Sequence, residues 1–429
     1  MSKNKEYSYI ILHMLIFVNI LYTISMMKET PTVRESRESA LEYKREETDY
    51  DVINAIERDE MIQNPENVGF NLTGDQFISP GSLQAAAEAQ ALVESVGADA
   101  AFEQLSAKYG RPAEELRQIY DTVVEREMSK VDKLHELLTE VPDGTSFRVH
   151  PHQPDSPFSI KNTRREEGGV EFFSFDPIAL EQMRTVYDKV NSGEKPGELT
   201  VVMSPYTKER GCNMPSTPEE IDAYANMCLS FLSQMGLEES GGAGICLELG
   251  NETNVDMNTV NPDGSKMFRV PDGFADHVDP VEYTHVYTAV ASKIKEHFPN
   301  AEVAIAGTAM FDEGYLKQVI EGVLEESGGN KSLIDKISFH PYRETVAEGT
   351  PTFKDNVRIP SELSYDEQCQ RMSELAAMTD AKFDIGEISF SHEHGESVDM
   401  VELHANSEHA KEHGLKSYTW PEWQIIEYE

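Results

Sequence analysis

Short apolar runs alternate with helical patterns along most of the chain. Eight such runs, mostly of five to seven residues, lie between stretches whose apolar residues recur with a helical period. Runs of this kind are typical of a parallel sheet that is buried on both faces. The predicted strands are 68–72, 146–150, 199–204, 243–249, 301–307, 335–340, 382–389 and 415–420, and 169–175 is a strand or a loop.

Helices are predicted between these strands, so the chain repeats a β/α unit. The predicted helices are 177–191, 218–235, 280–297, 313–327, 364–379 and 398–413. Eight β/α units are the count of a TIM barrel, so we predict an α/β protein with a (β/α)8 barrel. A doubly wound open sheet is the alternative. It usually carries a Gly-rich phosphate turn after its first strand, and the chain has none there.

The N-terminal part of the chain differs from the rest. Lys3 and Lys5 precede an apolar run at 9–27, which matches the ~20 residues that span a bilayer. We therefore expect a signal anchor or a cleaved signal peptide, and an extracellular or cell-surface protein with at most a single membrane anchor.

The next segments are polar and then helical. A strongly charged tract follows the apolar run, and a long helical tract with breaks at Gly97 and at 110–112 precedes the second strand. The predicted domains are a signal anchor or signal peptide (1–30), a charged linker or stalk (31–64) and a TIM barrel (65–429) with a helical insertion (82–140).

Charge and cysteine content narrow the function classes. The chain has 77 acidic and 37 basic residues, a net charge of −40, which argues against nucleic acid as a partner and against polyanionic substrates. None of its four cysteines forms a CxxC pair, so a zinc knuckle is not expected. One disulfide, for example between Cys212 and Cys228, stays open. We expect no cofactor and no metal, and the sequence does not indicate an oligomeric state.

Polar residues follow the predicted strands at their carboxyl ends. In a TIM barrel the active site lies at that face, so these side chains are expected to converge there. The candidates are Arg148, His150, Ser204, Asn251, Glu252, Thr308, His340, Tyr342, Glu387 and Trp420.

Two carboxylates in such a set fit glycoside hydrolysis, which needs a proton donor and support for an oxocarbenium-like centre. Glu252 is the predicted acid/base and Glu387 the predicted nucleophile. They are 135 residues apart (387 minus 252), so only a fold that closes on itself brings them together. Arg148 and Tyr342 would keep Glu387 ionised and oriented, and Trp420 would offer an apolar face to a sugar ring.

The order of these motifs resembles the clan A glycoside hydrolases, which are TIM-barrel retaining glycosidases. The motifs that carry the resemblance are "LELGNETN" at 247–254, "FDIGEIS" at 383–389, "ISFHPYR" at 337–343, "FRVH" at 147–150 and "YTW" at 418–420. Linking segments also look similar to the β-xylosidase/α-L-iduronidase family and to the cellulase-like family of the clan. The resemblance covers roughly residues 140–420 and, more weakly, residues 67–140.

The resemblance implies a role for each matching residue. Asn251 would bind a sugar 2-hydroxyl, Glu252 would be the acid/base, Glu387 the nucleophile and Tyr342 its hydrogen-bond partner. With Arg148, His150, His340 and Trp420 as further substrate-binding residues, it implies a retaining hydrolase of β-linked oligo- or polysaccharides. The third strand ends in "MSPY", which lacks the His or acidic residue of some clan members. The identity of the sugar is therefore not predicted.

Three other classes compete with this interpretation. A non-catalytic carbohydrate-binding barrel is one, although degenerate barrels usually lose a carboxylate and both are present here. A metal-dependent barrel hydrolase would use the His-x-His pairs at 150–152 and 392–394, but these follow the wrong strands. A serine hydrolase of the nucleophile-elbow type would need GxSxG, which does not occur.

Overall fold

The fold is described from a computed structural model of the 429-residue chain. It describes residues 68–73, 92–93, 96–109, 112–150, 165–167, 170–172, 175, 177–204, 214–255, 278–343, 352–354, 357–386, 389–390 and 415–419. His150 and Tyr342 are described as backbone only. All of these residues belong to one compact unit, Glu60–Glu429.

The strands fall at the positions that the apolar runs predict. In chain order they are β1 (Val68–Thr73), β2 (Ser146–His150), β3 (Arg165–Glu167), β4 (Val170–Phe172), β5 (Leu199–Met203), β6 (Ile245–Leu249), β7 (Glu302–Ile305), β8 (Thr308–Ala309), β9 (Lys336–His340), β10 (Tyr342–Arg343), β11 (Thr352–Lys354), β12 (Val357–Ile359), β13 (Lys382–Ile385), β14 (Ser389–Phe390) and β15 (Lys416–Thr419). The stretch 169–175 contributes β4, which pairs with β3 in an antiparallel hairpin.

Eight of these strands close into a parallel barrel. Their order around the ring is β1, β2, β5, β6, β7, β9, β13 and β15, and β15 pairs with β1 again, with Val68 opposite Ser417. Every pairing in the ring is parallel. The predicted (β/α)8 barrel is therefore confirmed, and the open doubly wound sheet is excluded.

Helices follow the strands as the periodicity predicts. They are α1 (Ala98–Tyr109), α2 (Ala113–Glu140), α3 (Pro177–Val190), α4 (Pro218–Gln234), α5 (Pro280–His297), α6 (Glu313–Glu326) and α7 (Tyr365–Ala377), with a 3-10 helix at Lys331–Leu333. The predicted breaks at Gly97 and Pro112 lie directly before α1 and α2, which join β1 to β2. The predicted helix 398–413 lies outside the described residues.

Local sequence signals explain where two of the helices begin. Thr217 caps α4 in a capping box with Glu220, in which each side chain bonds the other residue's backbone N–H. Ser364 and Glu367 make the same box at the start of α7. These caps satisfy backbone donors that the first helical turn leaves without an intrahelical partner.

Apolar and polar residues alternate along the barrel strands. On β9, Ile337 and Phe339 belong to the apolar core shared with the helices, and Lys336, Ser338 and His340 occupy the positions between them. Buried polar residues at alternate positions on the barrel strands are Ser146, Arg148, Thr200, Glu248, Lys336, Ser338, His340 and Asp384. The strands are buried on both faces, as predicted, and these polar side chains line part of the inside of the barrel.

Cys228, Cys246 and Cys369 are free and buried, so Cys228 does not form the disulfide with Cys212 considered above. Across the described part of the chain, no helix is both long enough and apolar enough to cross a bilayer. The hydrophobic run 9–27 lies outside that part.

Candidate active site at the barrel mouth

A buried ion pair crosses the barrel below its carboxyl-terminal mouth. Arg148 on β2 donates from Nε and Nη2 to the two carboxylate oxygens of Glu248 on β6, at 2.8 and 2.9 Å. Both side chains are almost fully buried, with 1% and 2% of their surface exposed. The backbone N–H of Gly307 adds a third bond, to Glu248 Oε1 at 2.8 Å. Burying two charges costs desolvation free energy. The bidentate geometry and the further donor to Glu248 offset that cost.

The Arg148–Glu248 pair also orients Asn251. It follows β6, is buried, and its Oδ1 accepts a hydrogen bond of 3.1 Å from Nη2 of Arg148. Since the amide oxygen accepts from a guanidinium, the amide NH2 group is turned away from Arg148. Arg148 therefore anchors Asn251 and Glu248 together.

Glu252 lies directly beyond Asn251, at the end of the fourth barrel strand. Its Oε1 is 2.9 Å from Nδ1 of His340, and its side chain is 8% exposed against 0% for the histidine. Either the protonated carboxyl donates to Nδ1, or Nδ1–H donates to the carboxylate. The pair can therefore hold a proton at this point of the mouth, which an acid/base group must do.

Glu252 also has an unusual backbone conformation. Its φ is +50°, in the left-handed region that residues other than glycine rarely adopt. Its N–H donates to the carbonyl oxygen of Gly307 at 2.9 Å, and its carbonyl accepts from the N–H of Val255 at 3.1 Å. Strain of this kind costs about 1–3 kcal/mol and concentrates at functional sites.

Two glycines make room for the imidazole of His340. A Cβ at Gly307 would lie 2.4 Å from His340 Nε2, and a Cβ at Gly386 would lie 3.0 Å from the same atom. Gly307 follows β7 and Gly386 follows β13, so the ring lies between the ends of the two strands that flank β9. Only glycine permits so close an approach at Gly307.

Asn254 ties the loop of Glu252 to the segment after β7. Its Oδ1 accepts from the N–H of Ala309 at 2.9 Å, and its Nδ2 donates to Ala309 O at 3.1 Å and to Asp312 Oδ2 at 3.2 Å. Asp312 also caps α6, because its Oδ1 accepts from the N–H of Tyr315. Burial raises the pKa of Asp312, and these two donors oppose the rise.

The opposite end of the barrel carries a separate charged cluster. Lys336 Nζ forms ion pairs with Glu198 and with Asp384, the latter at 2.8 Å, and donates to Thr200 at 3.1 Å. Lys382 pairs with Glu198 at 3.0 Å and with a further carboxylate, that of Glu302. These lysines come first in their strands, so the cluster closes the barrel at the end away from Glu252.

One group of possible metal ligands occurs among the residues that are described. It comprises Glu198, Cys246 and Glu302, whose ligand atoms lie within 4.8 Å of one another. The ammonium groups of Lys336 and Lys382 already occupy both carboxylates. Burial also raises the pKa of the Cys246 thiol well above its ordinary value, so this cluster does not favour a metal ion.

The structure brings together four of the predicted site residues: Arg148, Asn251, Glu252 and His340. The backbones of His150 and Tyr342 lie at strand ends, and their side chains are not described. Glu387 and Trp420 lie outside the described residues. The predicted contact of Arg148 with Glu387 therefore stays a prediction.

Glu248 is absent from the predicted site residues, because those were sought at the strand ends and Glu248 lies within β6. One signal could have found it. On β6 the apolar residues Leu247 and Leu249 alternate with Glu248, which therefore shares the inward face with Arg148.

Comparison with known proteins gives no match in sequence. No protein-family model matches the chain, and no curated protein matches it.

Solved structures of glycoside hydrolases are similar to the chain at low identity. The GH39 enzyme from Xanthomonas axonopodis pv. citri is 15% identical with a TM-score of 0.43, over 67% of this chain and 55% of that one. The GH5-4 broad specificity endoglucanase from Clostridium acetobutylicum is 11% identical with a TM-score of 0.40, over 67% and 78%. The endo-1,4-beta-mannanase from Eisenia fetida is 13% identical with a TM-score of 0.40, over 67% and 77%.

These neighbours are clan A glycoside hydrolases, the group that the sequence motifs resemble. The chain spans about half the length of the GH39 enzyme. The barrel itself follows from the strand pairing, which closes the ring.

Proposed function

We propose that the protein is a retaining O-glycoside hydrolase that acts on β-linked glycosides. Glu252 is the acid/base and Glu387 the nucleophile. The observation that carries the proposal is the Glu252–His340 pair, which lies nearly buried where the fourth strand of a closed barrel ends. A carboxyl group in this position can exchange a proton with a bound substrate.

The surroundings of Glu252 support a binding site for a polar substrate. Asn251 is anchored by Arg148, which is itself held by Glu248, so its amide is fixed before any substrate arrives. A fixed amide can strengthen its bond to a sugar hydroxyl in the transition state without reorganising.

The position of Glu387 in the chain supports its role as the partner carboxylate. Gly386, which precedes it, lies against the imidazole of His340, and that ring bonds Glu252. Ser389, two residues further on, pairs in register with Tyr342. The backbone on both sides of Glu387 therefore runs beside the residues that would share its site.

The reaction would proceed in two steps. Glu387 attacks the anomeric carbon while Glu252 gives its proton to the departing glycosidic oxygen, which leaves a glycosyl-enzyme ester. Glu252 then takes a proton from water, which attacks the same carbon and releases the sugar and Glu387. The carboxyl groups of a retaining enzyme lie about 5–5.5 Å apart.

The side chains of Arg148 and Tyr342 would keep Glu387 ionised, and His150, His340 and Trp420 would line the sugar site. The substrate would be a β-linked oligo- or polysaccharide.

The test uses Glu252→Ala and Glu387→Ala with a panel of aryl β-glycosides. Loss of the acid/base should lower kcat/KM for poor leaving groups by about 10²–10⁴-fold. Activated leaving groups should be affected less, and azide should restore turnover of Glu252→Ala. Glu387→Ala should be inactive and not rescued in the same way. A wild-type protein that binds glycans but cleaves no member of the panel would instead be a non-catalytic binding barrel.

A further inference from the structure

The side chain of Asn254 ties the loop that carries Glu252 to the segment after β7, a contact that we call the clasp. We propose that Asn254 is a positioning residue, which fixes Glu252 against His340. The inference rests on the proposed acid/base role of Glu252, although the clasp itself can be tested without it.

In the clasp, the side-chain amide of Asn254 bonds the peptide of Ala309 as two paired strands bond each other. Asn254 exchanges two hydrogen bonds with the peptide of Ala309, one in each direction, at 2.9 and 3.1 Å. A third bond, from Nδ2 to Asp312 Oδ2, is 3.2 Å long. Since a side-chain amide with two opposed bonds cannot rotate without breaking both, the loop is held at a fixed distance from Ala309.

Ala309 belongs to the same piece of sheet as His340. The two residues are opposite each other in the parallel pairing of β8 with β9, and the next residue, Met310, donates its N–H to His340 O at 3.0 Å. The Asn254–Ala309 clasp and the Glu252–His340 bond therefore connect the loop to two strands, β8 and β9, that pair with each other. A shift of Asn254 away from Ala309 would move Glu252 away from His340.

The loop needs such a clasp because Glu252 has a left-handed backbone. A residue other than glycine with φ of +50° gains about 1–2 kcal/mol by returning to negative φ. The N–H of Glu252 is bonded to Gly307 O on one side, and Asn254 holds the loop two residues further on. Without Asn254, rotation about Glu252 would relieve the strain and turn its carboxyl group away.

The kinetic test compares Asn254→Ala with the wild-type full-length protein on phenyl and 2,4-dinitrophenyl β-glycosides. A misplaced acid should lower kcat/KM on the phenyl glycoside by about 10- to 100-fold. The dinitrophenyl glycoside, which leaves without protonation, should be cleaved with kcat/KM changed by less than about threefold. Equal losses on both substrates would overturn the proposal, because a general structural defect affects both alike.

A double-mutant cycle distinguishes loss of the clasp from a general loss of folding. Asn254→Asp places a carboxylate against Asp312 and should produce the same selective loss. Adding Asp312→Asn restores a donor and an acceptor and should recover at least part of kcat/KM on the phenyl glycoside. No recovery would count against the clasp. Asn226→Ala is the matched control, since it removes an Asn–Asp bond on the outer helix α4, and it should leave both substrates unaffected.

A measurement that needs no sugar distinguishes this proposal from the proposed function. The ring 15N shifts of His340, assigned with His340→Gln, should change in Asn254→Ala as they do in Glu252→Ala, because both lose the bond to Nδ1. Unchanged shifts would overturn the positioning role even in an active enzyme. Changed shifts in a protein that hydrolyses no glycoside would support the clasp and overturn the proposed function.

Discussion

Gly307 touches three groups of the site with one peptide unit. Its N–H donates to Glu248, its carbonyl accepts from Glu252, and its α-carbon faces the ring of His340. Gly307→Ala should therefore displace His340 or the backbone, at a cost of about 1–3 kcal/mol in unfolding free energy. Urea denaturation measures that loss, and hydrolysis of a phenyl glycoside should fall with it.

Gly314→Ala is the control for this substitution. A Cβ there would meet only Asp312 Oδ1, at 3.8 Å, and the residue lies within α6. Replacing an exposed helical glycine by alanine should raise stability by up to about 1 kcal/mol. If Gly307→Ala proved as harmless as Gly314→Ala, the close approach to His340 would be of no consequence.

Asp312 should make stability depend on pH. Burial raises its pKa above the ordinary 3.8, so the folded protein holds this proton more tightly than the unfolded chain. The stability that it contributes is present below that value and is lost as the pH rises through the raised pKa. Asp312→Asn keeps a capping oxygen but cannot titrate. The free energy of unfolding of the wild type should therefore decline, relative to the variant, from about pH 4 upwards.

Urea denaturation of both proteins at several pH values tests this expectation. A constant difference between them across the range would show that Asp312 has the same pKa in both states.

At the residue scale, the sequence predicts which groups form the site. It does not predict as well which of these groups contact each other. Asn251 and Glu252 follow an apolar run, so their place at the mouth could be predicted. The pairing of Arg148 with Glu248 could not, because it depends on the relative register of three strands.

At the scale of elements, the eight strands and most helices could be predicted because the apolar periods are strong and the caps are explicit. The polar lining was missed for a physical reason. Apolar runs indicate burial, but a strand such as β9 can be buried on one face by helices and on the other by ion pairs.

Lys336 provides a test of that lining. It is buried and joins Glu198 and Asp384 across the barrel. Lys336→Met leaves Asp384 without its lysine and Glu198 with Lys382 alone, which should cost about 3–5 kcal/mol in unfolding free energy.

Lys382→Met is the comparison for Lys336→Met, since the side chain of Lys382 is 55% exposed. Its loss should cost about 1 kcal/mol or less. Equal effects of the two substitutions in urea denaturation would mean that burial does not govern this cluster.

At the scale of the whole molecule, the charge of −40 should oppose compaction. Salt screens such repulsion, with a Debye length of about 10 Å at 0.1 M and about 3 Å at 1 M. The midpoint of urea unfolding should therefore rise with NaCl and to the same extent with KCl. A fall, or a rise with only one of the salts, would point to effects other than screening.

The closure of the ring has a consequence for synthesis on the ribosome. Val68 of β1 pairs with Ser417 of β15, which is 349 residues later (417 minus 68). At about 5–20 residues per second, β1 is made roughly 17–70 s before its second neighbour. During that interval its outer edge has no strand beside it, and such edges recruit other chains. A nascent chain of this protein is therefore most exposed to misassembly just before its last barrel strand emerges, and its strong negative charge keeps neighbouring copies apart meanwhile.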